Sequence, residues 1–336
     1  VLAPGRLKED DAVSDLLEIK GLKKHFPLKK GIIRERQIGL VKAVDGVSFK
    51  IRKGETLGLV GESGCGKTTT GRCILGLEKP TSGRIILEGE DISHADGVNP
   101  RDLKGKIQVI FQDPYGSLDP RMKAGEIIAE PLKVDKFDPA EARDRAKEVL
   151  SLVGLDPEMV NRYPHMFSGG QRQRLSIARA IVSRPVLIVC DEPVSALDVS
   201  IQAQVINLFM EIQERLGLSY LFIAHDLSVV RNISSWVAIM YLGKIVEIVR
   251  SADLFQNPLH FYSKSLISAV PIPDPIVERK RQRILLEGEV PSPLNPPAGC
   301  HFHTRCWERR KRCSEEEPVL KELEQGHWVA CWVAEA

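Results

Sequence analysis

Thr56-Leu-Gly-Leu-Val60-Gly61-Glu62-Ser63-Gly64-Cys65-Gly66-Lys67-Thr68-Thr69 decides the architecture of this 336-residue chain. The apolar run Thr56–Val60 reads as a buried strand, and Thr69–Leu77 supplies a helix behind it. Between them, Gly61 to Thr68 fits the spacing G-x-x-x-x-G-K-[ST] of a phosphate-binding loop. Glycines at Gly61, Gly64 and Gly66 let the backbone curl until successive N–H groups and the helix N-terminus face one anion. Lys67 adds a point charge for the β- and γ-phosphates, and the Thr68 hydroxyl suits a Mg²⁺ ion. Cys65 reads as a small residue at a permissive loop position rather than a redox group.

Outward from this loop, short β-like runs fall at Leu16–Ile19, Val44–Ile51, Arg84–Leu87 and Ile107–Phe111. From about residue 121 to 183 the pattern turns helical, as in Pro139–Val153, where apolar positions recur at three- and four-residue spacing. Strand patterns resume at Val186–Cys190, Ser219–Ala224, Val237–Tyr241 and Lys244–Val249, the first two each bounded by helical stretches. Such alternation implies an α/β fold with a parallel sheet covered by helices on both faces. Val186-Leu-Ile-Val-Cys-Asp191-Glu192-Pro193 brings two adjacent acids out at a strand's C-terminal end, where sheets of this class place ligands. There Asp191 suits the Mg²⁺ shell, and Glu192 suits orienting and polarising a water as general base.

Those two features define only nucleoside triphosphate chemistry; Phe167-Ser168-Gly169-Gly170-Gln171, twenty residues before Asp191, narrows the class. Ser-Gly-Gly at the head of a helix is itself an anion-binding surface of backbone N–H groups, a hydroxyl and a positive dipole end. Here the chain resembles the ABC ATPase family, whose signature is Leu-Ser-Gly-Gly-Gln, with Phe167 in place of the first Leu. The resemblance implies an ABC cassette: a RecA-like P-loop NTPase core, an antiparallel β subdomain and a helical subdomain. It also implies that Ser168–Gln171 close over ATP held by the loop of a partner subunit. Gln112, in Val109-Ile-Phe-Gln-Asp-Pro, matches the family's Q-loop, which links the Mg²⁺ site to the helical subdomain. His225, ending Tyr220-Leu-Phe-Ile-Ala-His, matches the switch histidine, and Ser195-Ala-Leu-Asp198 the D-loop. Phe26 is the residue expected to stack on adenine, with neighbouring His25 as the alternative.

Composition agrees with a globular ATPase. Hydrophobic residues make up 43% and charged residues 27%, enough apolar content for a substantial core. With 47 Lys and Arg against 45 Asp and Glu, no basic footprint for nucleic acid is visible. The one basic run, Arg279-Lys280-Arg281-Gln282-Arg283, reads as a solvated helix end. No stretch approaches the ~18–20 consecutive apolar residues of a membrane span, and no signal segment opens the chain. A membrane role is therefore expected through partners, at the cytoplasmic face.

Four of seven cysteines, Cys300, Cys306, Cys313 and Cys331, crowd the last 37 residues. Their spacing fits the common zinc modules poorly, while four thiolates suit an iron–sulfur cube. The Pro-rich stretch Val290–Pro297, read as a linker, and the Cys300-His-Phe-His-Thr-Arg-Cys306 motif resemble the C-terminal extension of oligopeptide and dipeptide importer ATPases. That resemblance implies a [4Fe-4S] cluster, with Zn²⁺ as the alternative and His301 and His303 as substitute ligands. It further implies a second ABC ATPase subunit in a heterodimer, two transmembrane permease subunits and an extracytoplasmic solute-binding protein. Nickel or an oligosaccharide is the alternative cargo, and a soluble ABC ATPase acting on ribosomes or DNA the rival class. The expected division is a tail over 1–14, a cassette over 15–250 with its helical subdomain at about 115–180, and the extension over 251–336.

Overall fold

The structure is a computed structural model that describes residues 14–30, 36–93, 105–114, 116–135, 137–271, 274, 278–279 and 283–335. Residues 1–13 of the tail expected over 1–14 and residues 280–282 of the basic run lie outside the described residues. Twelve strands and nine α-helices are described: β1 Asp15–Lys30, β2 Arg36–Arg52, β3 Thr56–Val60, α1 Lys67–Ile74, β4 Ser82–Leu87, β5 Glu90–Asp91 and β6 Ile107–Ile110; then α2 Ala124–Ile128, α3 Pro139–Leu152, α4 Gly169–Ile181, β7 Leu187–Asp191, α5 Val199–Leu216 and β8 Ser219–Ala224; then α6 Leu227–Ile233, β9 Trp236–Tyr241, β10 Lys244–Arg250, α7 Ser251–Leu254, α8 Phe261–Ala269, α9 Lys311–Glu315, β11 Lys321–Glu324 and β12 His327–Val329.

Two sheets form. The larger has the order β11-β12-β10-β9-β3-β8-β7-β6, and the smaller β2-β1-β4-β5. In the larger, β6, β7, β8, β3 and β9 are mutually parallel, and β10 turns back antiparallel on β9. The smaller sheet is antiparallel throughout. Parallel strands covered on both faces must be apolar on both faces, and β3 and β8 are buried along their whole lengths. Their side chains alternate between two cores. Tyr220, Phe222 and Ala224 join the helical side with Val60, Ile188 and Cys190. Leu221 and Ile223 join Leu57, Leu59 and Val189 against the small sheet. This period of two explains why short, almost uninterrupted apolar runs are strands rather than helix pieces.

The region expected to be helical from 121 to 183 is built of short pieces. Asp138 caps α3, its carboxylate accepting from the N–H groups of Ala140 at 2.8 Å and Glu141 at 3.4 Å. Pro139 opens the helix, where its missing N–H costs nothing. Three 3₁₀ turns, at Pro131–Asp135, Pro157–Asn161 and Pro164–Met166, each begin on proline. They break what would otherwise be one long helical run.

The C-terminal segment is woven into the cassette rather than hung from it. Strand β12 pairs with β10, and β11 with β12, so residues beyond 320 extend the main sheet. A buried carboxylate bolts this junction. Glu247 on β10 accepts from the N–H groups of Leu259 at 2.9 Å and His260 at 3.0 Å, and its Oε1 lies 2.6 Å from His327 Nε2 on β12. The Pro-rich stretch also departs from the linker expectation. The Lys42 N–H donates to the Pro293 carbonyl at 3.1 Å. Leu294 occupies the space a side chain at Gly39 would fill, 2.7 Å from its Cβ position.

Candidate active site

Strand β3 ends at Val60 and the chain curls through Gly61–Gly66 into α1. Gly64 and Gly66 have φ of 79° and 110°, in the left-handed region that favours glycine. Gly61 and Gly66 are required for a second reason: a Cβ there would collide with the carbonyls of Met240 and Ala43. The loop is therefore wedged against the β9 end and β2. Lys67 is 4% exposed, and its ammonium donates to the carbonyls of Gly61 at 2.7 Å and Glu62 at 3.0 Å.

Asp191 and Glu192 leave the sheet beside this loop. The Thr68 hydroxyl donates to Asp191 Oδ1 at 3.0 Å, joining the two groups that suit Mg²⁺. Burial raises the Asp191 carboxyl above its ordinary value, and the neighbouring Glu192 charge adds to the rise. A cation at Thr68 and Asp191 would relieve that cost, so the donor set fits a hard divalent ion. Glu192 has φ of 48°, uncommon for a residue with a side chain. The Gln112 amide donates to Glu192 Oε2 at 3.0 Å, and His225 Nδ1 lies 3.2 Å from the same oxygen. Three residues from three strand ends, β6, β7 and β8, thus meet at one carboxylate oxygen.

Ser168 caps α4 in a reciprocal box. Its N–H donates to Gln171 Oε1 at 3.0 Å, and the Gln171 N–H donates to Ser168 Oγ at 3.4 Å. A Cβ at Gly170 would lie 2.8 Å from Ile201 on α5, so the signature turn packs tightly beside the helix that follows Asp198. Among the described residues, no hydrogen bond or ion pair joins Ser168–Gln171 to the Lys67 and Glu192 group. Asp198 begins α5, its carbonyl accepting from Ile201 N–H at 2.9 Å. Phe26 is half-buried on β1, with Lys24 Nζ 4.7 Å from its ring centre. His25, the alternative stacker, has Nε2 3.0 Å from Asp45 Oδ1.

Cys300, Cys306, Cys313 and Cys331 line one small cavity with His303 and Phe302. Burial pushes the Cys300 thiol up to about 12 and Cys306 up to about 11, the neighbouring cysteines adding to both shifts. Among the described residues, no group of three or more His, Cys, Asp or Glu could hold a metal ion. Neither the [4Fe-4S] expectation nor the zinc alternative therefore finds a preformed donor set among the described residues; for zinc, four sulfurs would have to lie ~2.3 Å from one centre. His301, a suggested substitute ligand, has its Nδ1 2.9 Å from the Leu242 carbonyl instead.

Sequence reasoning did not foresee the partners of Glu62. Its carboxylate accepts from Arg305 Nη1 at 2.9 Å, and its N–H donates to the Tyr262 hydroxyl at 2.8 Å. Both partners lie about two hundred residues or more along the chain, and no local pattern carries that signal.

This fold and loop define an ATP-binding cassette. The family model described as ABC transporter matches residues 44–195, and that for the oligopeptide/dipeptide transporter C-terminal region matches 246–313. The second match includes Cys300, Cys306 and Cys313 but stops short of Cys331. Oligopeptide transport ATP-binding protein AppF of Bacillus subtilis (strain 168) is 52% identical over 318 residues, covering 94% of this chain and 96% of the relative. Oligopeptide transport ATP-binding protein OppF of Salmonella typhimurium (strain LT2) is 53% identical over 319 residues, covering 94% and 95%. Among solved structures, the ATP-binding cassette MJ0796, a dimer in a post-hydrolysis state bound to ADP and Pi, superposes with a TM-score of 0.60. It is 28% identical, over 70% of this chain and 98% of that one. The chain belongs to the family of oligopeptide and dipeptide transport ATP-binding proteins of ABC transporters, which are ATPases.

Proposed function

We propose that this chain powers an importer of oligopeptides or dipeptides by hydrolysing ATP at a site completed by a second cassette. The observation that carries the reading is the convergence of Gln112 and His225 on Glu192, beside the contact between Thr68 and Asp191. Glu192 takes the proton of the attacking water as general base, His225 steadies that water and the γ-phosphate, and Gln112 reports occupancy to the helical subdomain. Lys67 and the loop Gly61–Thr69 hold the phosphates, and Thr68, Asp191 and Gln112 would hold Mg²⁺, which would supply charge neutralisation. Phe26 stacks on adenine, which is consistent with the engagement of His25 by Asp45.

Ser168–Gln171 and Asp198 serve the ATP of the opposing subunit. Their lack of a direct bond to the chain's own Lys67 group, among the described residues, agrees with that division. ATP binding draws two cassettes together, and hydrolysis with phosphate release separates them, a two-state element that biases attached permease subunits. The working pair is a heterodimer with a related ATPase, attached to two permease subunits at the cytoplasmic face of the membrane and served by an extracytoplasmic solute-binding protein. Attachment to the membrane is peripheral in this reading; among the described residues, no helix is long and apolar enough to cross a membrane.

Cys300, Cys306, Cys313 and Cys331, which line one cavity, are the residues that would hold a [4Fe-4S] cluster. Four thiols around one cavity support this reading, since four thiolates are the usual ligands of such a cluster. When bound, the cluster supplies cross-linking of the tail's loops. Anaerobically purified protein is expected to be brown and to contain iron; colourless, zinc-loaded protein would sink the cluster. Cargo is tested with the assembled transporter in proteoliposomes. ATP-dependent uptake of a labelled oligopeptide is expected, and uptake of nickel or an oligosaccharide in its place would overturn the peptide assignment.

A further inference from the structure

Glu62, the second residue of the phosphate loop, is held at all three of its polar groups. Its carbonyl accepts from Lys67 Nζ at 3.0 Å, its N–H donates to Tyr262 Oη at 2.8 Å, and its carboxylate accepts from Arg305 Nη1 at 2.9 Å. The last two partners belong to the C-terminal segment. Neither is a casual surface contact: Tyr262 is fully buried and the Arg305 side chain is 9% exposed.

A second route reaches the other end of the same loop. His301 Nδ1 lies 2.9 Å from the carbonyl of Leu242, whose φ is 43°, and the next residue, Gly243, donates its N–H to the Cys65 carbonyl at 2.9 Å. The tail thus grips the loop at Glu62 and, through one turn, at Cys65. The gripping elements are themselves fixed. The rings of Tyr241, Tyr262 and Phe302 meet with centroids 4.7 Å, 5.3 Å and 5.4 Å apart, an apolar wedge between the β9 end, α8 and the turn before Arg305.

This arrangement bears on anion binding directly. The Glu62 amide is turned to Tyr262, so the N–H groups left to face phosphate are those later in the loop. Glu62 also supplies one of the two carbonyls that aim Lys67, so a shift of Glu62 moves the ammonium that must meet the β- and γ-phosphates.

We propose that Arg305 and Tyr262 are positioning residues for ATP: acting through Glu62, they set the conformation of the phosphate loop and hence nucleotide affinity. The proposal rests on the ATPase reading of the loop and deepens it. The C-terminal segment is then part of the nucleotide site rather than an appendage. Charge-assisted hydrogen bonds with little solvent competition are the strong ones, so their loss should register as a clear change in affinity.

The test uses the full-length chain: ATP Kd is measured by titration, and KM and kcat by steady-state hydrolysis in the complex assembled with the second cassette and the permease subunits. Arg305→Met is expected to raise Kd and KM for ATP about tenfold while changing kcat much less, a difference of about 1.4 kcal/mol in binding. Arg305→Lys should recover part of the affinity, because it keeps the charge and loses the guanidinium geometry. In a Glu62→Ala background, which removes the acceptor, Arg305→Met should add little, since the two act as one unit. Tyr262→Phe removes a single hydroxyl from a packed ring and is expected to raise Kd several-fold with the melting temperature nearly intact. A purely structural role would instead lower the melting temperature and leave KM in place. Unchanged ATP affinity in both Arg305→Met and Tyr262→Phe would overturn the proposal. So would an Arg305→Met effect undiminished in the Glu62→Ala background. Absence of ATP hydrolysis in the wild-type assembled complex would strike the ATPase reading itself, a result distinct from either.

Discussion

At the residue scale, the site is a set of short polar contacts made at the C-terminal ends of parallel strands. The sequence named Gln112, Glu192 and His225 one at a time, each from its own motif. It could not show that Gln112 and His225 meet the same Glu192 oxygen, at 3.0 Å and 3.2 Å, because that convergence depends on strand order rather than spacing. Nor could it show that Glu192 sits at φ 48°, a conformation held by its surroundings and common at functional sites. The pairing of Thr68 with Asp191 has a consequence of its own. Thr68→Val removes the hydroxyl that would ligate Mg²⁺ and leaves the Asp191 carboxylate, already raised by burial, without its hydrogen bond. The Mg²⁺ concentration for half-maximal hydrolysis should rise by about tenfold or more, read from a metal titration at saturating ATP. An unchanged Mg²⁺ requirement would remove Thr68 from the metal site.

At the element scale, strands were legible and the tail was not. The runs read as Thr56–Val60 and Ser219–Ala224 coincide with β3 and β8, because buried parallel strands are apolar on both faces and stand out from their neighbours. Strands β11 and β12 escaped notice. Lys321–Glu324 is a charged edge strand, Lys-Glu-Leu-Glu, whose pattern is indistinguishable from a solvated loop until β12 pairs with it. Helix α8 shows how an element end carries pH sensitivity. His260 caps it, Nδ1 accepting from the Tyr262 N–H at 3.1 Å, and burial pushes the imidazole from its ordinary 6.5 down to about 4. A depressed histidine binds fewer protons folded than unfolded, so its contribution is complete above about pH 6.5 and is lost as the pH falls to about 4. The linked change is on the order of 3 kcal/mol. Denaturant midpoints should fall between pH 7 and pH 5, and fall less in His260→Asn, which retains a capping acceptor without the titration. Equal acid sensitivity of the two proteins would contradict this assignment.

At the scale of the whole molecule, two cores share one sheet, and the C-terminal segment closes it. Read along the sequence, the chain divides into a cassette and an extension, because the Pro-rich stretch at 290–297 separates two compositions. In space the division blurs. Pro293 bonds β2, Glu247 ties β10 to β12 and to the turn before α8, and Arg305 reaches the phosphate loop across 243 residues. Cutting the chain after Arg250 would expose the β10 edge, orphan the buried Glu247 carboxylate and uncover the ring of Tyr241. The truncated chain is expected to aggregate, or to melt about 10 °C or more below the full one; an equally stable, soluble fragment would show that the tail is a separate unit after all.

The central claim is hydrolysis by a general base within a composite site, and Glu192→Gln tests it most directly. Replacing the carboxylate by an amide keeps size and hydrogen bonding but removes the base, which contributes ~10²–10⁴-fold in such reactions. In the assembled complex, single-turnover hydrolysis should fall by at least about a hundredfold while ATP remains bound and the cassettes stay closed. Hydrolysis at the wild-type rate in that variant would contradict the account.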